Sequence, residues 1–355
     1  MSQFNSPADK LEGVTLSSGW KVLARIVKSP GASGGNFGIC YHAEKDGRPG
    51  FVKALDFRRA FHEKDFILAL NQLTSHVLWE KELLEFCNKA SMSRVVRLLD
   101  YEDLILDEDQ GDQTKKVCCL IFEVGAGDLR TRFDIARNPS HSWRLRVLRD
   151  VGLALDQLHR KGVAHLDVKP SNVIALAESQ FEVMKLGDLG RAVRKGMPGP
   201  FDAMAWPGDV GYMPPEKWYG HNSQQWNDER EAADAYLFGS LFAFLFTGVP
   251  MNNLLHNEIP DAFKPQQYRG VFDRQLIDVL RQAQAKVIAI YLRPALPACI
   301  AQEIESMFLE LTDPDPTTRG DRKARARGIV GIDRYHQKLL KLAERMSLHE
   351  RGILA

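Results

Sequence analysis

The chain has 355 residues, 44% of them apolar and 26% charged, with a formal net charge of +1. That is the composition of a globular protein with a large core, of one large or two modest domains, and it carries neither the basic excess of a nucleic-acid binder nor the charge bias of a membrane-surface protein. The five cysteines (40, 87, 118, 119 and 299) are odd in number, lack metal-ligand spacing and lie in apolar strands or helices, so they are expected as buried free thiols in a reducing cytoplasm.

No basic stretch followed by an apolar core opens the chain, so no secretory signal is expected, and residues up to about 19 read as a polar lead. Strand patterns follow at 20–28, 37–44 and 50–56. Ahead of the second strand stands Ser33-Gly34-Gly35-Asn36-Phe37-Gly38-Ile39-Cys40, whose glycines allow backbone amides to approach phosphate oxygens closely. The third strand, Gly50-Phe51-Val52-Lys53-Ala54-Leu55, holds one lysine among apolar neighbours, as a half-buried strand does when it carries an ammonium into a cleft. A helical pattern over 61–88 carries Glu80, Glu82 and Glu85, with Glu80 one turn from Leu84. Strands near 95–100 and 117–123 follow, and the second runs into Glu123-Val124-Gly125-Ala126-Gly127-Asp128. From Ser142 the pattern is helical, with Val147, Leu148, Val151, Leu155 and Leu158 at one-turn spacing. Helices then dominate, broken by Pro- and Gly-rich loops at 196–215, 248–260 and 313–320.

Three later segments are set by composition. The apolar run from Ala235 to Val249 falls short of the roughly 20 residues of a membrane span and is expected as a buried core helix. The basic tract from Arg319 to Arg327 is expected as solvated surface. A final helix from about Ile332 to Leu348 carries an apolar stripe at Leu339, Leu340, Leu342 and Met346, suited to packing on the preceding helices. A strand-rich portion followed by a helix-rich one indicates an α+β protein of two lobes, with the cleft between them the expected ligand site.

The richest chemistry lies in His165-Leu166-Asp167-Val168-Lys169-Pro170-Ser171-Asn172 and in Asp188-Leu189-Gly190. Two acids, a base and an amide separated by turn-forming residues are what phosphoryl transfer requires. A carboxylate takes the proton of the attacking hydroxyl, a cation sits near the transferring phosphate, and a hard oxygen pair holds Mg²⁺. Asp167, Lys169 and the pair Asn172 and Asp188 fill those roles.

These motifs resemble the catalytic loop and the magnesium-binding tripeptide of the eukaryotic-type Ser/Thr protein kinase superfamily. Other stations of that family follow in order from about Trp20 to Arg319. The resemblance implies an α+β, two-lobed protein-kinase-like fold, with a small antiparallel-sheet lobe carrying one helix and a large, mainly helical lobe. It divides the chain into a lead (1–19), an N-lobe (20–124), a C-lobe (125–327) and a C-terminal helical extension (328–355). It implies ATP and Mg²⁺ as cofactors and a protein substrate; charge balance, the short apolar run and the cysteines add the expectation of no nucleic acid, no membrane span and a cytoplasmic setting. In its terms Ser33, Gly35, Phe37, Gly38 and Cys40 belong to the phosphate loop, and Lys53 holds the α- and β-phosphates. Glu80, or alternatively Glu82, pins that lysine. Phe122 is the gatekeeper beside the adenine, the backbone of Glu123 and Gly125 meets the base, and Asp128 reaches the ribose. Gly211-Tyr212-Met213-Pro214-Pro215-Glu216 resembles the end of the activation segment, Asp234 to Gly239 the start of the central helix, and Arg319 the partner of Glu216.

Departures from the pattern are informative. Ser33 replaces the usual first glycine, Leu166 replaces an arginine that in the family usually meets an activation-loop phosphate, and Arg191 to Gly211 contains no Ser, Thr or Tyr. Activation-loop phosphorylation is therefore not expected to switch the protein on. Asp209 stands where Ser/Thr-specific relatives usually carry a threonine; it is expected to fix Lys169 and to repel Asp167. Lys169, two residues after Asp167, resembles the Ser/Thr-specific members. The alternatives are a nucleotide-binding scaffold without catalysis, which usually lacks Lys53, Asp167 or Asp188, and a small-molecule kinase of related fold.

Overall fold

The computed structural model describes residues 6–27, 38–57, 60, 62–106, 116–178 and 181–353. The chain divides into two compact units between Ala126 and Gly127. A strand-rich unit precedes a helix-rich one, as the α+β reading expected.

The first unit is built on one sheet of order β1-β2-β3-β5-β4, every neighbouring pair antiparallel. Its strands are β1 (Lys21–Arg25), β2 (Ile39–Lys45), β3 (Arg48–Asp56), β4 (Leu98–Ile105) and β5 (Lys116–Phe122), with helix α1 (Phe66–Lys89) between β3 and β4. Asp46 and Gly47, at φ of 50° and 74°, form the two-residue turn whose twist matches a tight hairpin, and they set Lys45 opposite Arg48. Register then fixes direction. Val52 and Ala54 join an apolar core with Tyr41, Ala43, Val117, Cys119 and Ile121, and strand alternation sends Lys53 to the other face.

The same core contains Ala8, Leu11, Leu16 and Trp20, which corrects the reading of residues up to 19 as a polar lead. Two leucines in a polar segment give no periodicity, yet each finds the apolar face of the sheet. Ser6 caps a short 3-10 turn over Pro7–Lys10, and the Tyr41 hydroxyl donates to the Ala8 carbonyl. The amides of Ser17 and Ser18 donate to the Glu102 carboxylate at 2.7 and 3.0 Å.

The second unit holds α2 (Leu129–Ala136), α3 (His141–His159), α4 (Pro215–Trp218), α5 (Ala232–Thr247), α6 (Met251–Glu258), α7 (Arg274–Val287), α8 (Ala298–Leu311), α9 (Arg322–Arg325) and α10 (Ile332–Glu350). Two small antiparallel pairs accompany them, β6 (Val163–Ala164) with β9 (Val193–Arg194) and β7 (Val173–Glu178) with β8 (Phe181–Leu186). Helix α5 is buried at every position from Ala232 to Phe246, as expected of a core helix, and among the described residues no single helix is long and apolar enough to cross a membrane. The stretch 248–260, read as a loop, contains α6: Gly248 ends α5 at φ 78°, and Pro250 opens the next helix two residues later.

Helix α10 packs on α3, where a Cβ on Gly152 would come 3.1 Å from the His336 Cβ, so a glycine allows the close approach. The buried stripe of α10 is Ile332, Tyr335, Leu339, Leu342, Ala343 and Met346; Leu340 is exposed, contrary to expectation, because it lies off that 3–4 spacing. Among the cysteines, Cys87, Cys118 and Cys119 are buried thiols, Cys40 is half-buried and Cys299 is exposed. The basic tract is also not all surface. Arg319 is fully buried and Arg325 largely so, donating to the Arg319 and Pro316 carbonyls.

Candidate active site

In the first unit, α1 carries Val77, Glu80, Leu84 and Cys87 along one buried stripe, and Glu80 is the one acid on it. The Lys53 ammonium lies 2.9 Å from both Glu80 carboxylate oxygens. Glu82 points to solvent and Glu85 pairs with Lys81 at 3.5 Å, so the geometry favours Glu80 over the alternative. Cys40 faces Lys53 across the β2–β3 register. A Cβ on Gly38 would fall 3.0 Å from the Ala54 carbonyl oxygen and 3.2 Å from the Lys53 Cγ, so a side chain there would crowd the strand that carries the lysine. Ser33, Gly35 and Phe37 lie outside the described residues.

In the second unit, the β7–β8 register sets Val173 opposite Leu186, so Asn172 faces Gly187, whose amide donates to the Asn172 carbonyl at 2.8 Å. Asp188 follows directly, at φ 58°, a left-handed conformation that aspartate tolerates better than most residues. The amide nitrogen of Asn172 donates to the Asp167 carbonyl at 2.8 Å and to its Oδ2 at 2.9 Å. This turns the Asn172 amide oxygen away from Asp167 as an acceptor. Among the described residues no three His, Cys, Asp or Glu side chains cluster as a self-sufficient metal site. An amide oxygen and one carboxylate suit a hard cation that takes its remaining ligands from water and phosphate, as Mg²⁺ does.

Asp167 is the hub. Its Oδ2 also meets the Lys169 ammonium at 3.1 Å, and its Oδ1 accepts the Asp209 amide at 2.8 Å. Burial raises the Asp167 pKa above the usual carboxylate range, against the opposing pull of Lys169 and the Asp209 amide. A carboxylate so placed is a better proton acceptor than one in water. Burial works against the Lys169 ammonium, but Asp167 and Asp209 outweigh it and hold its pKa above normal. The Asp209 carboxylate sits 3.1 Å from Lys169, as expected. The expected repulsion is met differently: Asp209 offers Asp167 its amide and turns its carboxylate to Lys169 and to the Gly211 amide at 2.9 Å.

A family model described as the protein kinase domain matches residues 33–320. The chain belongs to the protein kinase family. Curated relatives include the serine/threonine-protein kinase ArnS of Sulfolobus acidocaldarius, 29% identical over 37% of this chain and 25% of the relative. The Wee1-like protein kinase of Oryza sativa subsp. japonica is 30% identical over 54% of this chain and 29% of the relative. The Aurora kinase of Schizosaccharomyces pombe is 26% identical over 70% of this chain and 64% of the relative. The chain thus spans about a quarter of the length of the first two.

The remaining kinase stations have structural company that sequence alone did not disclose. Phe122 is buried at the end of β5. The Glu123 amide donates to the Arg97 carbonyl at 3.2 Å, and Gly125 follows two residues later. Asp128 caps α2 by accepting the Thr131 amide at 2.8 Å, a role that its position just before Leu129 signals.

His165 and Asp234 were the roles missed. The His165 ring is fully buried; its Nε2 donates to the Gly187 carbonyl at 3.0 Å and its Nδ1 accepts the Asp167 amide at 3.2 Å. One ring thereby ties the catalytic loop to the residue preceding Asp188. Asp234 accepts the amides of His165 and Leu166 at 2.8 and 2.7 Å and meets the His159 Nε2 at 2.9 Å. The signal for it was a lone carboxylate at the head of an otherwise apolar helix.

The activation segment is held by its own contacts. β9 pairs with β6, Phe201 is buried beneath the Arg191 guanidinium, and the Trp206 indole donates to the Asp209 carbonyl at 3.2 Å. Leu166, fully buried at φ 60°, lies against Gly208, where a Cβ would come 2.0 Å from the Leu166 carbonyl oxygen. Beyond the segment, Glu216 meets Arg319 at 2.9 and 2.6 Å. The other Arg319 hydrogens go to the carbonyls of Asp313, Ala232 and Pro314, so all five donors are used.

Proposed function

We propose that this chain is an ATP- and Mg²⁺-dependent protein kinase that transfers the γ-phosphate to Ser or Thr hydroxyls, and that it does so without a phosphate on its activation segment. The observation that carries the reading is Asp167, held on one oxygen by the Asp209 amide and on the other by Lys169 and Asn172, so that its carboxylate is buried, oriented and basic. The acceptor oxygen forms a bond to the γ-phosphorus as the bond to the bridging oxygen of ADP breaks. The hydroxyl proton passes to the Asp167 carboxylate and then to solvent.

Lys53, pinned by Glu80, and the chain at Gly38 are suited to the phosphates of ATP, and Lys169 to the charge on the phosphoryl group in flight. Asn172 and Asp188 would hold Mg²⁺, which when bound neutralises phosphate charge. Phe122, Glu123 and Gly125 would receive the adenine and Asp128 the ribose. Lys169 and names such as ArnS support the Ser/Thr preference. Independence from a phosphate is supported by Leu166, which gives such a phosphate no guanidinium, and by a segment from 191 to 211 without Ser, Thr or Tyr. Free thiols at all described cysteines suit a reducing, cytoplasmic setting.

The test is labelled ATP and Mg²⁺ with wild type and Asp167→Asn, phosphosites mapped by mass spectrometry. Transfer to Ser or Thr by wild type, lost in the variant, supports the reading. ATP binding without transfer would leave a scaffold, and transfer to a sugar or amino-alcohol alone a small-molecule kinase.

A further inference from the structure

Two arginines of the second unit are buried in opposite ways. Arg319 spends its donors and faces a carboxylate, whereas Arg144, 7% exposed on α3, faces none. Among the described residues the Arg144 guanidinium makes one hydrogen bond, from Nη2 to the Asn138 Oδ1 at 3.0 Å, and its buried Nε has no acceptor. The Phe133 and Phe246 rings lie 5.8 and 5.9 Å from its Cζ; they attract the charge but leave the Nε hydrogen unspent. Burial lowers the Arg144 pKa, and no neighbouring carboxylate opposes that shift. A buried cation without an anion is costly, so such a group calls for a partner.

One turn earlier on α3, His141 repeats the pattern. Its Nδ1 is buried without a partner among the described residues, and its ring stacks on the same Phe246 at 6.1 Å and 13°. Burial first, and then the Arg144 charge, hold its pKa below normal, with Glu350 opposing. Glu350 itself is taken by the Ser142 amide at 3.1 Å. Both side chains leave the first turns of a 19-residue helix, where the peptide dipoles favour an anion.

We propose that Arg144 and His141 form an oxyanion site at the start of α3, which receives a carboxylate or phosphate group against Phe133 and Phe246. Arg144 supplies its charge and Nε hydrogen, and His141 donates from Nδ1 in the tautomer that carries its proton there. Half-buried Phe133 and His141 and exposed Asn138 put the site within reach of solvent. The other end of α3 is His159, which meets Asp234 about 27 Å of helix away, so a ligand here is an effector and not a substrate. The site does not depend on the kinase reading.

The rival account makes Arg144 a prop between Asn138 and the two rings. Histidine-labelled protein is titrated from pH 5 to 8 by NMR in chloride, acetate and phosphate at equal ionic strength, with the His141 resonance identified by its loss in His141→Gln. A bound anion offsets the Arg144 charge and favours the imidazolium, so acetate or phosphate should raise the His141 midpoint by about 0.5 or more. Movement in acetate assigns a carboxylate ligand, and movement in phosphate a phosphate. A midpoint equal in all three salts overturns the proposal.

Thermal unfolding of wild type and Arg144→Met gives a second readout. Methionine removes the charge and keeps much of the bulk, so in chloride the variant should melt at or above wild type. At about 100 times its dissociation constant, the anion should lift the melting of wild type about 5–10 °C more than that of the variant. Phosphate held elsewhere, by the residues suited to ATP included, lifts both alike. Equal lifts in the two proteins overturn the proposal, and if the variant does not fold, the His141 midpoint of wild type decides.

Discussion

Asp234 touches no substrate, yet its replacement should damage both stability and turnover. In Asp234→Ala the amides of His165 and Leu166 lose their acceptor inside the protein, and each buried unpaired donor costs about 1–3 kcal/mol. His159 loses the carboxylate that its Nε2 meets at 2.9 Å, adding to the loss, so a total of about 3–5 kcal/mol is expected. At about 2–4 °C per kcal/mol for a unit of this size, the second unit should melt about 6–20 °C lower. The catalytic effect follows from Leu166, whose left-handed backbone costs about 1–2 kcal/mol in a leucine and persists because Asp234 holds its amide. Released, the loop relaxes and carries Asp167 with it, lowering kcat about 10- to 100-fold. The loss should also depend on pH. Burial disfavours the His159 imidazolium, but the bond to Asp234 and its charge outweigh burial and raise the pKa. A raised histidine stabilises fully below its unfolded value of about 6.5 and ceases to as pH rises through the folded value, so wild type should exceed the variant by more at pH 6 than at pH 9. Calorimetric unfolding of both proteins at the two pH values checks this. A variant that melts within about 2 °C of wild type at both, with unchanged kcat, would refute the reasoning.

Three further outcomes are expected. Glu80→Gln should lower kcat/KM for ATP about tenfold or more by replacing the anion that holds Lys53, while Glu82→Gln, on the exposed face, leaves it unchanged; steady-state kinetics of the pair decides. Gly208→Ala should cost about 1–3 kcal/mol and reduce turnover, since its Cβ would stand 2.0 Å from the Leu166 carbonyl oxygen; an alanine variant with wild-type melting and rate would show that the segment yields freely there. Deleting residues 1–16 should destabilise the first unit by up to about 3–6 kcal/mol from Leu11 and Leu16 alone, an upper bound because the unfolded chain also buries some of this surface. Equal thermal unfolding of the full and shortened chains would contradict that.

What the sequence disclosed and what it hid divide along a physical line. Groups whose chemistry is confined to a short stretch could be read directly: Asp167, Lys169 and Asn172 lie within six residues, and their spacing already dictates a turn that presents them together. The pairing of Glu216 with Arg319 crosses 103 positions and was reached only through the family resemblance, because no local rule links the two. Glu80 was favoured by one-turn spacing to Leu84, and the fold selects it because the same stripe is the buried face of α1. Contacts through the backbone were invisible. Asp209 looked like a like-charge problem for Asp167 because only its side chain could be read, whereas the amide that solves the problem belongs to every residue and takes meaning from the turn at Val210–Tyr212. The lead at 7–16 hid for the opposite reason: two leucines are too few to make a pattern, and burial was decided by the apolar face that β2, β3 and β5 had already formed. A kinase sequence therefore announces which atoms do the chemistry more readily than which atoms hold them still, and Asp234, His165 and Asp209 belong to the second kind.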